Sequence, residues 1–184
     1  YEGRRTGGTH RGYWDYEGGG MCDMGQHHFD PEQWTYAKDY TSAVEITPFA
    51  PPSHPEVTGM WAWVELKYAD GFRFVMESTE WGPKYDQAPI RDVSMNDLSP
   101  EDQEKVKAMP DPEPLLSFGE AVKQRKKAGG HAEAAHRAAC ILHLANLAIR
   151  LGRKLNYDPD KEVFVNDEEA NRFLHPPMSA PWRL

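Results

Sequence analysis

Residues 57–77 read VTGMWAWVELKYADGFRFVME, and this stretch decides the fold. Aromatic and β-branched residues dominate 57–69 and predict a long strand. Asp70-Gly71 predicts a tight turn, after which 72–77 pairs back as the second strand of an antiparallel hairpin. One face of the first strand is expected to be buried and carries Met60, Ala62, Val64, Leu66 and Tyr68.

The opposite face of the first strand carries Trp61 and Trp63 beside Glu65 and Lys67. Large aromatic side chains on a second sheet face are seldom left in water. This pattern therefore predicts that another chain or domain covers the second face.

The stretch 131–151 has apolar residues almost all round at a helical period, which predicts a buried helix that ends at Gly152. The pattern favours a single domain over 1–184 that contains both strands and helices. The remaining predicted elements are strands at 43–47 and 162–165, helices at 21–29, 31–38 and 117–127, a short helix after Ser99, a helix capped by Asp167, an N-terminal loop at 1–20, an irregular insertion at 80–114 and an extended tail at 175–184.

Composition excludes several classes of protein. The net charge of -8 over 184 residues argues against a nucleic-acid partner, because phosphate binding needs a clustered positive field. The basic run 123–127 is typical of a solvated helix face. No apolar run has the length of a membrane span. Cys22 and Cys140 are expected to be buried free thiols, and neither dinucleotide-binding nor phosphate-binding glycine motifs occur.

The segment 18–28, GGGMCDMGQHH, is the main candidate for a functional site. Asp23 and His27 are four residues apart, so on one helix they would share a face. A carboxylate near an imidazole fixes its tautomer and supports proton abstraction, which suits His27 as a general base toward a substrate hydroxyl. An ordinary pair of helix residues is the alternative on spacing alone.

Further histidines surround this pair. His28 points about 100° away from His27 on a helix, which favours a position at the rim of a site. A metal site built from His10, Asp23, His27 and His28 has suitable ligand types. It lacks a recognised spacing, so no metal is predicted.

The loop 9–16 combines aromatic and hydrogen-bonding side chains, which suits a polyhydroxylated ligand. The alternative is a loop packed against its own domain. The predicted substrate-binding residues are His10, Arg11, Tyr13, Trp14, Asp15 and His28. His136 and His143, seven residues apart on the long helix, are expected to be core or interface histidines.

Two stretches resemble one known family. Glycines 18–20 followed by Asp23-Met24-Gly25-Gln26-His27 resemble the glycine-rich Asp/His motif of the glucose–fructose oxidoreductase / inositol dehydrogenase family, Gfo/Idh/MocA. A second set of residues is similar to the C-terminal end of one large bacterial branch of that family: 135–155, 158–159, 167–172 and 177–182.

The resemblance implies a two-domain NAD(P)-dependent oxidoreductase acting on a sugar or polyol, of which this chain corresponds only to the second domain. That domain is expected to have an α+β fold, with a large, mostly antiparallel open sheet and helices packed on one face. Asp23 and His27 occupy the positions of active-site residues. NAD or NADP would be bound mainly by a Rossmann domain, supplied in cis or in trans, and no cofactor is expected for this chain alone. A homo-oligomer formed through the sheet face is also implied.

Two other functions stay open from the sequence. One is a binding or oligomerisation module without catalysis, and the other is a cofactor-free lyase or hydratase acting on keto-sugars. The chain opens on Tyr1, which favours a fragment of a longer enzyme or a separate subunit. Taken alone it is expected to be inactive. The sequence does not distinguish a cytoplasmic from a periplasmic location.

Overall fold

The computed structural model of the chain describes residues 9–78, 80–86, 94–110, 114–175 and 180–181. The chain divides into two compact units, one formed by 1–85 with 132–184 and the other by 86–131.

The first unit contains a five-stranded open sheet in the order β3-β2-β1-β4-β5, and neighbouring strands are antiparallel. This arrangement confirms the predicted sheet type. The strands are β1 (Glu45–Phe49), β2 (Trp63–Lys67), β3 (Arg73–Glu77), β4 (Leu155–Asp158) and β5 (Val163–Phe164).

The hairpin of β2 and β3 forms at the predicted turn. The backbone N–H of Tyr68 donates to the carbonyl of Phe72 at 2.8 Å. Gly71 has φ +88°, and glycine adopts this backbone conformation with little strain because it has no side chain. The first strand is shorter than predicted, since β2 begins at Trp63. Before it, Ala62 still exchanges backbone hydrogen bonds with Phe49 and Ser78, and Val57 forms an isolated bridge with Tyr13.

The described residues contain six α-helices and two short 3-10 turns. In the first unit these are a 3-10 turn at Thr9–Gly12, α1 (Gly19–Asp23), α2 (Gly25–Thr35), α5 (Ala132–Leu151) and α6 (Glu168–Asn171). In the second unit they are a 3-10 turn at Met95–Asp97, α3 (Pro100–Lys107) and α4 (Phe118–Gln124). None of these helices is long and apolar enough to cross a membrane.

The core lies between the sheet and α5, which packs against β1 and β2, while α1 and α2 pack against α5. The helices therefore cover one face of the sheet, as predicted. Burying each of the larger aliphatic side chains contributes about 1.5–3 kcal/mol. The fully buried members include Ile46, Val64, Leu66, Met76, Ile141 and Ile149.

The second face of the sheet is partly covered by the chain itself. Phe49 stacks on Trp63 with ring centroids 5.3 Å apart. Trp81 lies 5.7 Å from Phe49, and Tyr85 meets Trp63 edge-on at 5.0 Å. Residues 81–85 thus supply some of the cover expected from another chain, and a homo-oligomer through this face stays a prediction.

The local predictions differ from the structure around the first two helices. The break lies at Met24, between α1 and α2, rather than at Asp30. Pro31 lies inside α2, where it lacks an N–H to bond the carbonyl of His27. Strand β4 was not predicted. Most of the tail 175–184 lies outside the described residues, as do 1–8 of the N-terminal loop.

The capping serines of the second unit follow the sequence rules. Ser99 caps α3 by accepting a hydrogen bond from the backbone N–H of Asp102, and Ser117 caps α4 in the same way through Glu120. Within the predicted insertion 80–114, residues 87–93 and 111–113 lie outside the described part of the chain.

Candidate functional site

The start of α1 is fixed to the core helix by one buried amide. Asn146 of α5 donates through Nδ2 to the carbonyl of Gly18 at 2.7 Å and to Cys22 Sγ at 3.0 Å. A Cβ on Gly18 would lie 2.2 Å from that nitrogen, so only glycine allows this approach. The contact holds the glycine-rich segment on α5, 128 residues further along the chain.

The other two glycines have different surroundings. Gly19 has φ +68°, and a Cβ there would lie 2.7 Å from Thr58 Oγ1. Gly20 has no atom within 4 Å of an added Cβ. Two of the three glycines therefore allow close packing of the chain on itself, and the third faces open space.

Asp23, the last residue of α1, forms a salt bridge with Arg11 from the loop before it. The side chain of Asp23 is 25% exposed and that of Arg11 is 57% exposed, so the pair lies at the surface of the first unit. No hydrogen bond links Asp23 to His27 among the described residues. The described residues therefore show a carboxylate–guanidinium pair, which is a charge-assisted contact, in place of the expected carboxylate–imidazole pair.

His27 lies in the first turn of α2 and is exposed. Its backbone N–H donates to the carbonyl of Met24 at 3.1 Å. Within the described ranges its imidazole has no hydrogen bond or ion pair, so the exposed ring is available to a ligand. His28 is also exposed, while His10 is half-buried.

The loop 9–16 packs against a second loop, 54–58. The backbone N–H of Trp14 donates to the carbonyl of Glu56, and its indole Nε1 donates to the carbonyl of His54, each at 3.0 Å. The Arg150 guanidinium lies 5.3 Å from the centre of the Trp14 ring. The polar group of Trp14 is therefore used inside the fold.

The predicted binding residues therefore have different surroundings in the structure. Arg11 reaches the Asp23 carboxylate, Tyr13 lies in the bridge to Val57, and Asp15 is exposed on the loop. The side chains of Arg11 and Asp23 are in direct contact, and the backbone N–H of Tyr13 donates to the carbonyl of His10 at 3.2 Å.

A thiol of α1 lies near an imidazole of α5. Cys22 Sγ is 4.0 Å from Nδ1 of His143 on α5. Burial raises the pKa of the Cys22 thiol and lowers the pKa of His143, although part of the His143 ring still meets solvent. Both groups are neutral near pH 7, so this pair is not an activated nucleophile. Cys22 is a free, half-buried thiol.

The described residues do not fit a dinucleotide. Such cofactors bind where parallel strands cross over through a glycine-rich turn to a helix, whereas every strand pair here is antiparallel. The glycines before α1 contact Asn146 and Thr58 of the chain itself. A nicotinamide cofactor would need residues beyond those described.

A second polar cluster was not predicted. His136 and Cys140 of α5 lie beside Glu162, and their ligand atoms are all within 4.8 Å of one another. Residues four apart share a helix face, so the His-x-x-x-Cys spacing was visible in the sequence. Glu162 joins the cluster from a turn 22 residues after Cys140 along the chain, and the helical spacing does not predict that contact.

Residues 1–184 match the family described as "Oxidoreductase family, C-terminal alpha/beta domain", of the Gfo/Idh/MocA type. The match covers the whole sequence, and the chain belongs to this family. No curated protein and no solved structure gives a significant match to the chain.

Proposed function

We propose that this chain forms the substrate side of an NAD(P)-dependent oxidoreductase that acts on a sugar or polyol, with His27 as the general base. The nicotinamide would be held by a Rossmann domain joined to this one or bound to it. The substrate pocket would form over α1, the start of α2 and the loop 9–16.

The single observation that carries the proposal is the exposed imidazole of His27, presented on a rigid helix one turn beyond the Arg11–Asp23 ion pair. A general base must be free to accept a proton and must be held in place. His27 has no partner in the described part of the chain, and α2 packs against the core helix α5.

Arg11 and Asp23 supply the binding groups. The guanidinium has five N–H donors in a fixed fork, and Asp23 holds it from one side. The remaining donors can bind hydroxyl oxygens, while the carboxylate can accept a hydrogen bond from a hydroxyl. In this proposal Asp23 positions Arg11 and lies beside the base, rather than orienting the imidazole by a direct hydrogen bond.

The chemistry assigned to this chain is a proton transfer. As the substrate carbinol is oxidised, its O–H proton passes to a ring nitrogen of His27 and the oxygen becomes a carbonyl. In family members the nicotinamide, when bound, accepts the hydride. Nothing among the described residues of this chain takes that part.

The test uses the natural polypeptide that carries this chain, assayed for NAD(P)H formation with a panel of sugars and polyols. His27→Ala should lower kcat/KM by about 10²–10⁴-fold, the usual contribution of a general base. The melting temperature should stay within the narrow range typical of surface substitutions, because His27 is exposed.

His175 gives a matched control, since it is an exposed histidine on the segment after α6. His175→Ala should leave kcat/KM unchanged. Equal activity of the wild type and the His27→Ala variant would remove His27 from the mechanism. Turnover of a keto-sugar without added nucleotide would instead support the lyase or hydratase alternative.

A further inference from the structure

A cluster of three potential metal ligands lies on the first unit, formed by His136 and Cys140 of α5 and by Glu162 of the turn between β4 and β5. The His136 Nε2 atom is 2.7 Å from Glu162 Oε1 and 3.4 Å from Cys140 Sγ. Their ligand atoms all lie within 4.8 Å of one another.

One of these distances is close to an edge of a zinc coordination tetrahedron. Zinc binds imidazole nitrogen at about 2.0–2.1 Å and thiolate sulfur at about 2.3 Å, so adjacent nitrogen and sulfur ligands are roughly 3.6 Å apart. The observed 3.4 Å between Cys140 Sγ and His136 Nε2 fits that edge.

The carboxylate edge needs a small adjustment. Nitrogen and oxygen ligands of tetrahedral zinc are roughly 3.4 Å apart, compared with 2.7 Å between His136 and Glu162. In the absence of metal a proton lies between these two atoms, and a metal ion that replaced the proton would separate them. Both side chains are partly exposed, at 47% and 42%, so they have room to turn.

We propose that His136, Cys140 and Glu162 bind one Zn²⁺ ion, with water in the fourth position. Thiolate and imidazole together select zinc over the hard cations Mg²⁺ and Ca²⁺. The ion ties α5 to the turn between β4 and β5. This inference concerns residues that the proposed oxidoreductase function does not use.

The surroundings of the cluster suit a cation. The Arg137 guanidinium lies 3.3 Å from Glu162 Oε1, and its positive charge disfavours a cation at the cluster. That guanidinium, however, has two closer partners. Its Nε atom is 2.9 Å from Glu133, and its Nη1 atom is 3.1 Å from the carbonyl of Pro159. Arg137 can therefore keep its position when Glu162 turns to the metal, and the charge of Glu133 offsets that of Arg137.

The metal-free cluster is not a reactive thiol site. Burial, followed by the charge of Glu162, raises the pKa of the Cys140 thiol. Without metal the cysteine is protonated near neutral pH, and zinc binding displaces that proton.

The experiment uses the full chain, freed of metal with a chelator and titrated with Zn²⁺ against a chromophoric competitor. Native mass spectrometry should show one zinc ion per chain. Co²⁺ in place of zinc should give the absorption bands of a thiolate-bound tetrahedral ion. A wild-type chain that retains no zinc and shows no such bands would overturn the proposal.

Cys140→Ser should weaken zinc binding by about 100-fold or more, because loss of supporting groups outside the coordination sphere already costs 10–100-fold. The matched control is Cys22→Ser, which removes a half-buried thiol that also lies near a histidine, His143. Cys22→Ser should keep the wild-type affinity.

Glu162→Gln provides a second variant at a partly exposed position, and it should fold and lose zinc affinity as well. Glutamine is chosen over glycine because φ at residue 162 is +55°, where glycine would also relieve backbone strain. Zinc bound equally well by Cys140→Ser and Glu162→Gln would show that the metal lies elsewhere and would refute the assignment.

Discussion

The contact between Gly18 and Asn146 predicts a large difference between two neighbouring glycines. In Gly18→Ala the new Cβ would lie 2.2 Å from Asn146 Nδ2 and 2.4 Å from Cys22 Sγ. Ordinary contacts of a Cβ begin at 3.4 Å, so one of the neighbours must move by more than an ångström. Gly20→Ala, two residues later, places its Cβ in open space.

Each way of making room at position 18 has a cost. If the Asn146 side chain turns away, it loses its hydrogen bonds to Gly18 and Cys22, each worth about 0.5–1.5 kcal/mol. If α1 shifts instead, the buried side chain of Met21 loses packing. We expect a loss of about 1–3 kcal/mol for Gly18→Ala. Gly20→Ala should stabilise by about 0.4–1 kcal/mol, because alanine restricts the unfolded chain and favours the helix.

The assay is unfolding by urea, followed by circular dichroism, for the wild type and both variants. In a thermal scan a chain of this size shifts by about 2–4 °C for each kcal/mol, so the two variants should move in opposite directions. If Gly18→Ala were as stable as Gly20→Ala, the close approach of Asn146 to the glycine segment would be wrong.

Two further predictions concern single contacts in the first unit. Arg153 lies 2.5 Å from Asp167 and holds the pKa of that carboxyl below its ordinary value. The stabilisation that this salt bridge gives to the folded state is therefore present above about pH 4, and it is lost as the pH falls through the lowered pKa. Asp167→Asn keeps a helix-capping side chain and should lower the free energy of unfolding in urea at pH 7 by at most about 1 kcal/mol. The difference between variant and wild type should vanish in acid, and a difference that persists below pH 2 would contradict the prediction. Tyr68→Phe removes a buried hydroxyl that donates to Gln33 Oε1 at 3.1 Å, so it should cost about 1–3 kcal/mol in thermal unfolding, and an unchanged melting temperature would count against the bond.

The fold could be predicted where a regular pattern repeats along the chain. The alternation before and after Asp70-Gly71 predicts the hairpin, and the apolar stripe of 131–151 predicts α5, because burial of one face decides both. Strand β4 was missed because its four residues, Leu155–Asp158, are too few to show a period. Its pairing with β1 depends on residues more than 100 positions away in the sequence.

The candidate site could be predicted less well. The spacing of Asp23 and His27 indicates a shared helix face only if the helix continues, and α1 ends at Asp23. The Arg11–Asp23 salt bridge requires the loop 9–16 to fold back across α1, and no periodic signal encodes such a contact. Pro31 led to a wrong helix boundary, because proline usually marks the start of a helix and here it lies inside α2.

The link from Asn146 to Gly18 also bears on the order in which the molecule forms. It joins residues 128 positions apart, and closing so long a loop is slow compared with forming a hairpin or a helix. During synthesis the segment with Arg11, Asp23 and His27 emerges well before α5 exists to hold it. The candidate site is therefore completed only after most of the chain has been made. Until then the apolar surface of α1, including Met21, remains in water.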